Sequence, residues 1–302
     1  MQKSAYEQAT ETLLAQLEAG TIPWRKPWVS AGLPRNLKSQ KEYRGMNVIL
    51  LAIQNQASPY WLTFNQAKDM GGSIKKGEHG THIMFWSTYN KKTTTRDEAT
   101  GDTSESVRRT GFWRSYVVFN LMQCEQEFID KLGLNKPAGP VEDLPAAQAI
   151  WDNYPDRPTL IDADAAFYRP PTDEIGMPLR TAFKEQREYY STLFHEMTHS
   201  TGARNRLNRD EVTKHTSFGS NDYSAEELVA EFGSCMLCGL VGISPVVVEN
   251  QAAYIKHWLD KLRLQDNKRV LMQAASAAQK ACDRIRAVKQ QEVTEELKEA
   301  TA

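Results

Sequence analysis

The segment STLFHEMTHSTG constrains this chain more than any other, because His195, Glu196 and His199 form the pattern H-E-x-x-H within it. An α-helix turns about 100° per residue, so side chains four apart lie on nearly the same face. Both imidazoles then reach one ion at about 2.0–2.1 Å, and the intervening glutamate stands toward the ion's open side. Such a centre needs a third ligand from elsewhere and a position left for solvent. The extended pattern H-E-x-x-H-x-x-G-x-x-H would supply a third histidine. Gly202 fits it, but its last position is Asn205, which rules that scheme out.

The remaining scheme takes a glutamate from a following helix, and YSAEELVAEFGSCMLCGLVG reads as that helix. Glu227 and Glu231 are four apart on it and share a face with Ser234 and Cys238. Glu231 is the only Asp, Glu, Lys, Arg or His between Leu228 and Val248, so burial of its carboxylate requires a partner. The expected assignment is Glu227 as third metal ligand, with Glu226 as the alternative. Glu231 then accepts from the outer ring nitrogen of a metal-bound histidine. Zinc suits this set, with another divalent metal such as manganese as the alternative. Zinc-acidified water gives Glu196 a proton to accept and later pass to a leaving amine, which is peptide hydrolysis on an unknown peptide or protein substrate. Tyr223 and His257 are candidate electrophilic helpers, and the DEIGMP segment is a candidate edge strand for a substrate backbone. Cys235 and Cys238 lack the flanking turn of a zinc knuckle and read as small buried residues.

The net charge of −1 conceals an asymmetry. From Gly20 to Arg96, twelve Lys/Arg stand against three acids (Glu42, Asp69, Glu78), giving +9 and leaving −10 for the rest. Five of seven tryptophans (Trp24, Trp28, Trp61, Trp86, Trp113) fall in the first 113 residues. Aromatic faces among cations are what single-stranded nucleic acid requires, stacking being worth roughly 1–3 kcal/mol per base. The candidate contacts are Trp24, Arg25, Lys26 and Trp28 in WRKPW, Tyr43 and Arg44 in EYRGMN, Trp61, and Lys75 and Lys76 in SIKKGEHG. The competing reading has these tryptophans filling a small core.

The coarse pattern is an α+β chain. A small mixed N-terminal unit (1–130) precedes a Pro/Gly-rich linker (131–145), a mostly helical unit (146–290) and a tail (291–302). Expected helices cover the first twenty residues, 45–56, TFNQAKDMGG, 181–200, 224–241, 246–263 and 267–290. Expected strands are 82–89, 113–122, PTLIDADAAFYRP and EIGMP, with 90–111 a polar hairpin loop. No apolar run approaches the roughly 18 residues that span a membrane. The N-terminus lacks a secretory apolar stretch, and four cysteines form no disulfide framework, so a reducing cytoplasm is expected.

Several stretches carry a resemblance. WRKPW, EYRGMNVILL, YWLTFNQAKDMGGSIKKGEHGTHIMFW and VVFNLMQC are similar to the N-terminal domain shared by ArdC-type antirestriction proteins and TraC-type plasmid primases. YYSTLFHEMTHSTGARNRLNR, FGSNDYSAEELVAEFGSCMLCGLVGI and AAYIKHWLDKLRLQDNKRVLMQAASAAQKACDRI resemble the zincin-like metallopeptidase domain that accompanies it in ArdC. The resemblance implies a protein of conjugative plasmids that binds single-stranded DNA, with double-stranded DNA as a further partner, and shields incoming DNA from restriction enzymes. Its metal motif maps onto His195, Glu196 and His199. Priming activity is not implied, since the second half resembles the peptidase. The alternative is a DNA-binding protein with a catalytically idle zincin domain.

Overall fold

The computed structural model describes residues 5–25, 32–96, 103–134, 143–213, 221–244, 256, 258–260 and 268–288. Helix α1 (Ala5–Glu18) turns its Leu13 and Leu17 fully inward, as the helical spacing of its apolar residues requires. A short 3-10 turn (Pro23–Arg25) follows, then strand β1 (Arg35–Asn36) and helix α2 (Met46–Ala52), nearly all of it buried. Strand β2 (Tyr60–Thr63) runs directly into α3 (Phe64–Asp69), where Thr63 and Gln66 cap each other's backbone amides in a capping box.

Strands β3 (Thr81–Arg96) and β4 (Thr103–Asn120) form a long antiparallel ribbon. The sheet order is β1-β2-β4-β3, with β1 parallel to β2 and the other pairs antiparallel. The expected hairpin loop over 90–111 is therefore corrected, because the ladder continues to Arg96 and resumes at Thr103. KKTTTR and TSESVRR lack the apolar alternation that marks a half-buried strand, yet their threonines suit extended backbone.

Helices α4 (Gln126–Leu132) and α5 (Leu144–Asp152) lead into a second sheet of β5 (Thr159–Asp162), β6 (Phe167–Arg169) and β7 (Glu174–Met177), in the order β5-β7-β6. The expected edge strand EIGM is thus the central strand, paired on both sides, and its backbone is not open to a substrate. The metal motif lies on α6 (Gln186–Ser200), preceded by a 3-10 turn at Arg180–Ala182 where continuous helix was expected. Short α7 (Asp210–Thr213), long α8 (Asn221–Leu240) and α9 (Lys268–Ile285) complete the chain. Most of the expected 246–263 helix, the middle of the expected linker and the 291–302 tail lie outside the described residues.

The main apolar cluster ignores the expected division. Leu13, Leu17, Trp24, Met46, Ile49 and Met84 from the first half pack in one body with Phe194, Leu228, Phe232, Trp258, Leu271 and Ala275 from the second. Two smaller clusters stay within the first half, one around Leu62 and Phe128, the other around Tyr43, Trp61 and Ile83. Among the described residues no helix is long and apolar enough to cross a membrane.

Candidate metal centre

Helix α6 presents Tyr189, Tyr190, Leu193, Phe194 and Met197 to the core, and this fixes the direction in which His195 and His199 point. They meet α8, which approaches closely because residue 233 is glycine. A Cβ there would stand 2.4 Å from Thr198 Cγ2 and 2.5 Å from Thr198 Oγ1. Close approach lets the carboxylates at the start of α8 reach both rings.

His195, His199 and Glu227 bring their ligand atoms within 4.8 Å of one another. His195 Nε2 is 3.1 Å from His199 Nε2, and the Glu227 carboxylate oxygens stand 3.4 Å from His195 Nε2 and 3.5 Å from His199 Nε2. In a tetrahedral centre with ligands at about 2.0–2.1 Å, ligand atoms are about 3.3–3.4 Å apart. Each ring nitrogen faces a different oxygen of the Glu227 carboxylate, and the set is compact enough to gather round one ion. Two imidazole nitrogens and a carboxylate oxygen also suit zinc or a similar divalent ion chemically.

Glu226 occupies the other side of His199, its Oε1 lying 3.1 Å from Nδ1. Arg209 holds that same carboxylate with Nε at 2.8 Å from Oε2 and Nη2 at 2.6 Å from Oε1. Arg209 gets there because the chain doubles back after α6. Its backbone amide bonds the Gly202 carbonyl at 3.0 Å, and Asn208 takes a left-handed φ of 48°. The guanidinium also donates to the Thr198 carbonyl at 2.8 Å and to Thr201 Oγ1 at 2.7 Å, capping the negative end of α6.

Burial alone would raise the Glu226 carboxyl, but the Arg209 charge and the His199 contact outweigh it and hold it below its ordinary range. Burial opposes ionisation of Glu227 too, and hydrogen bonds to His195 and His199 overcome it, so this carboxylate is also held down. Glu196 is buried on α6 next to His195, with 8 % of its surface exposed.

The remaining sequence assignments divide. Glu231 was expected to orient a histidine, but its carboxylate is gripped at both oxygens by Arg25, with Nε at 2.8 Å from Oε2 and Nη2 against Oε1. The carboxylate on a histidine's outer nitrogen is that of Glu226 instead. Arg25 and Trp24 are corrected as DNA contacts for the same reason. Trp24 is 1 % exposed and packs edge-on against Phe232 (centroids 5.1 Å) and Trp258 (6.1 Å), so no base can stack on it. Trp61 is likewise buried and Arg44 is paired with Asp283. Tyr43 is buried, with its hydroxyl accepting from Asn36, and Lys75 donates to the Met122 carbonyl at 2.9 Å. Lys76 is exposed. Lys26, Trp28 and His257 lie outside the described residues, as does the side chain of Tyr223.

Sequence reasoning missed Arg209. Its one signal is indirect: a buried ligand helix with adjacent glutamates demands a cation, but RNRLNR offers three arginines and no spacing rule selects among them.

Two family models match parts of the chain. A model described as the N-terminal domain of anti-restriction factor ArdC matches residues 3–119, and one described as a zincin-like metallopeptidase matches residues 148–277. The chain is 34% identical over 291 residues to the protein y4eC of Sinorhizobium fredii, the match covering 92% of this chain and 90% of that protein. It is 33% identical over 315 residues to a DNA primase TraC of Escherichia coli, covering 98% of this chain but only 28% of the primase. Among solved structures it is similar to antirestriction ArdC from the R388 plasmid. The metal-free form gives a TM-score of 0.69 at 33% identity, covering 93% of this chain and 96% of that one. The Mn(II)-bound form gives 0.68 at 32% identity, covering 94% and 98%.

Proposed function

Since the chain belongs to the ArdC family of antirestriction proteins, we propose that it binds single-stranded DNA, shields incoming plasmid DNA from restriction enzymes, and carries a divalent-metal peptidase centre. The observation that carries the peptidase reading is the convergence of His195, His199 and Glu227 at metal-ligand spacing. Zinc is the proposed ion and manganese the alternative, the latter supported by the Mn(II)-bound R388 relative. When bound, such an ion supplies polarisation of a scissile carbonyl and a water acidified toward neutral pH.

The chain's own residues do the rest. Glu196, on the same turn of α6 as the two rings, accepts a proton and returns it to the leaving amine. Arg209 and Glu226 keep the His199 ring in one orientation and one tautomer, with Nδ1–H donated to the carboxylate and Nε2 free as ligand. A purely structural site has no use for a glutamate between the histidines, which favours an active centre over an idle one. Antirestriction is assigned to DNA occlusion rather than to proteolysis.

The test is a comparison of wild type with Glu196→Ala and His199→Ala. Elemental analysis should find metal in the first two and loss in the third. Cleavage of an unfolded protein such as casein should vanish in both variants, while Glu196→Ala protects incoming plasmid DNA as wild type does. Metal retained by His199→Ala would defeat the ligand assignment. Casein cleavage surviving Glu196→Ala would defeat the assigned proton carrier.

A further inference from the structure

Trp24, Trp61, Arg25 and Arg44 are consumed by the fold, which leaves other described residues of the basic half to offer a surface to bases. Among the described residues the large exposed apolar side chains are Phe64, Val117, Leu160 and Leu179, and Phe64 stands at the rim of a groove. It has a volume of about 470 Å³, within the roughly 300–1,000 Å³ usual for small-molecule sites.

The register of β3 and β4 builds its floor. Ile83 stands opposite Tyr116, and Phe85 opposite Arg114, so all four share one face of the sheet. Deeper on that face, Ile83 and Val118 are buried with Tyr43, Leu51 and Trp61, which makes the floor rigid. Above them Phe85 and Tyr116 meet edge to face with centroids 5.5 Å apart, both half-buried. Around this floor the groove is lined by Phe64, Asn65 and Gln66 of α3, by Asn36 of β1 and by Lys38 just after it. Asn36 spends its amide within the protein, Nδ2 donating to Gln66 Oε1 at 3.0 Å and to the Tyr43 hydroxyl at 3.3 Å and Oδ1 accepting from the Lys38 and Ser39 amides, so this side of the groove is rigid. Phe64, 57 % exposed, is poised over this floor as the groove's rim.

We propose that this groove receives an unstacked base of a single-stranded polynucleotide, held by Phe85, Tyr116 and Phe64. The inference rests on the single-stranded DNA reading above and gives it a place. Flat aromatic surface suits a base, which offers a π-face for stacking whatever its identity. The segment from Gly20 to Arg96 carries +9, of which Arg25 and Arg44 are spent on Glu231 and Asp283, and the cation at the groove itself is Lys38. Lys38, which lines the groove with Asp69, pairs with that exposed carboxylate at 3.8 Å, a surface pair that costs little to exchange for a phosphate. A duplex keeps its base faces stacked inside and cannot offer one to the floor.

The test uses the full-length, metal-loaded protein and a 20-nucleotide oligo(dT), titrated by fluorescence anisotropy at several salt concentrations. Phe64→Ala removes an exposed ring and leaves the fold intact. It should weaken binding about tenfold, as loss of one stacking partner does, with an unchanged salt slope. Tyr116→Ala should act alike, and Lys38→Ala should lower the salt slope by about 1. Oligo(rU) should show the same losses, because the base faces are shared whichever sugar carries them. An oligo(dT) carrying 5-iododeoxyuridine should photocrosslink to peptides holding Phe64 or Tyr116. Failure of wild type to bind oligo(dT) at all would remove the parent reading. Normal binding by Phe64→Ala and Tyr116→Ala, with crosslinks elsewhere, would overturn the groove and leave the parent reading standing.

Discussion

Glu226 does two things with one carboxylate: it fixes the His199 ring and it neutralises Arg209 at the end of α6. The two roles respond differently to substitution. Glu226→Gln keeps an acceptor for Nδ1–H but removes the charge, so metal affinity should fall about 10–100-fold, the usual cost of altering such a partner. Arg209→Ala leaves a carboxylate with 7 % exposure short of its cation, and should cost roughly 3–5 kcal/mol in addition to weakening metal binding. Thermal unfolding of the metal-free protein beside a metal titration separates the effects, and an Arg209→Ala protein as stable as wild type would refute the arrangement. A second pair sets an acid response. Asp173 holds Arg206 at 2.8 and 2.7 Å and accepts from Tyr168; burial would raise its carboxyl, but these hydrogen bonds prevail and lower it. A lowered folded-state pKa means that the stabilisation is present above the unfolded value of about 3.9 and is lost as pH falls below it. Asp173 is 38% exposed, so the contribution is about 1 kcal/mol after solvent screening. Asp173→Asn should therefore lower stability at pH 7 but flatten its decline between pH 5 and 3, measured by urea midpoints. An unchanged acid slope would assign that response to other carboxylates.

The contact between α6 and α8 is where the sequence motif becomes a site, because neither helix alone can complete the ligand set. Gly233 governs the spacing, with the buried Thr198 side chain occupying the place a Cβ would need. Thr198 cannot swing aside cheaply, since its hydroxyl donates to the Phe194 carbonyl at 2.8 Å. Gly233→Ala should cost about 1–3 kcal/mol, the range for overpacking a full interior, and should weaken metal binding by moving Glu227 outward. Thr198→Ala in the same chain should recover part of both losses, a coupling that a double-mutant cycle reads directly. Strictly additive losses would mean that the helices are spaced by something else. At this scale the sequence was readable where local composition or spacing is distinctive. Aromatic and β-branched richness marks β3 near Ile83 and β4 near Val118, and the four-residue spacing of His195 and His199 marks α6. It was unreadable in the outer ribbon, where Thr93, Thr94 and Thr95 suit a strand but no apolar face announces one.

Across the whole molecule, the part of the site legible in the sequence is the part written at short range. His195, Glu196 and His199 are one turn of helix, and Glu227 follows from needing a nearby carboxylate. Glu231 shows the limit: its isolation in an apolar segment signals a buried partner, but that partner, Arg25, lies 206 residues away and only the fold can name it. Trp24 failed as a base platform for the same reason, since composition places it among cations while its ring fills a core made by α8. The two sequence domains thus share one core and a buried ion pair, Arg25 being 13% and Glu231 6% exposed. It follows that the second half should not fold as a stable unit on its own. A 143–302 fragment would lose Leu13, Leu17, Ile22 and Trp24 from its apolar cluster and leave Glu231 without Arg25. Such a fragment should bind a hydrophobic dye and melt without a sharp transition, whereas the full chain melts cooperatively. In the full chain, Arg25→Met should destabilise the protein, because it removes the guanidinium that meets both Glu231 oxygens across the two halves. Adding Glu231→Gln should cost less than the two single losses summed, since the pair acts as a unit. A fragment melting as sharply and as high as the intact protein would show that the shared core is dispensable, and that the N-terminal unit only rests against a peptidase domain already complete.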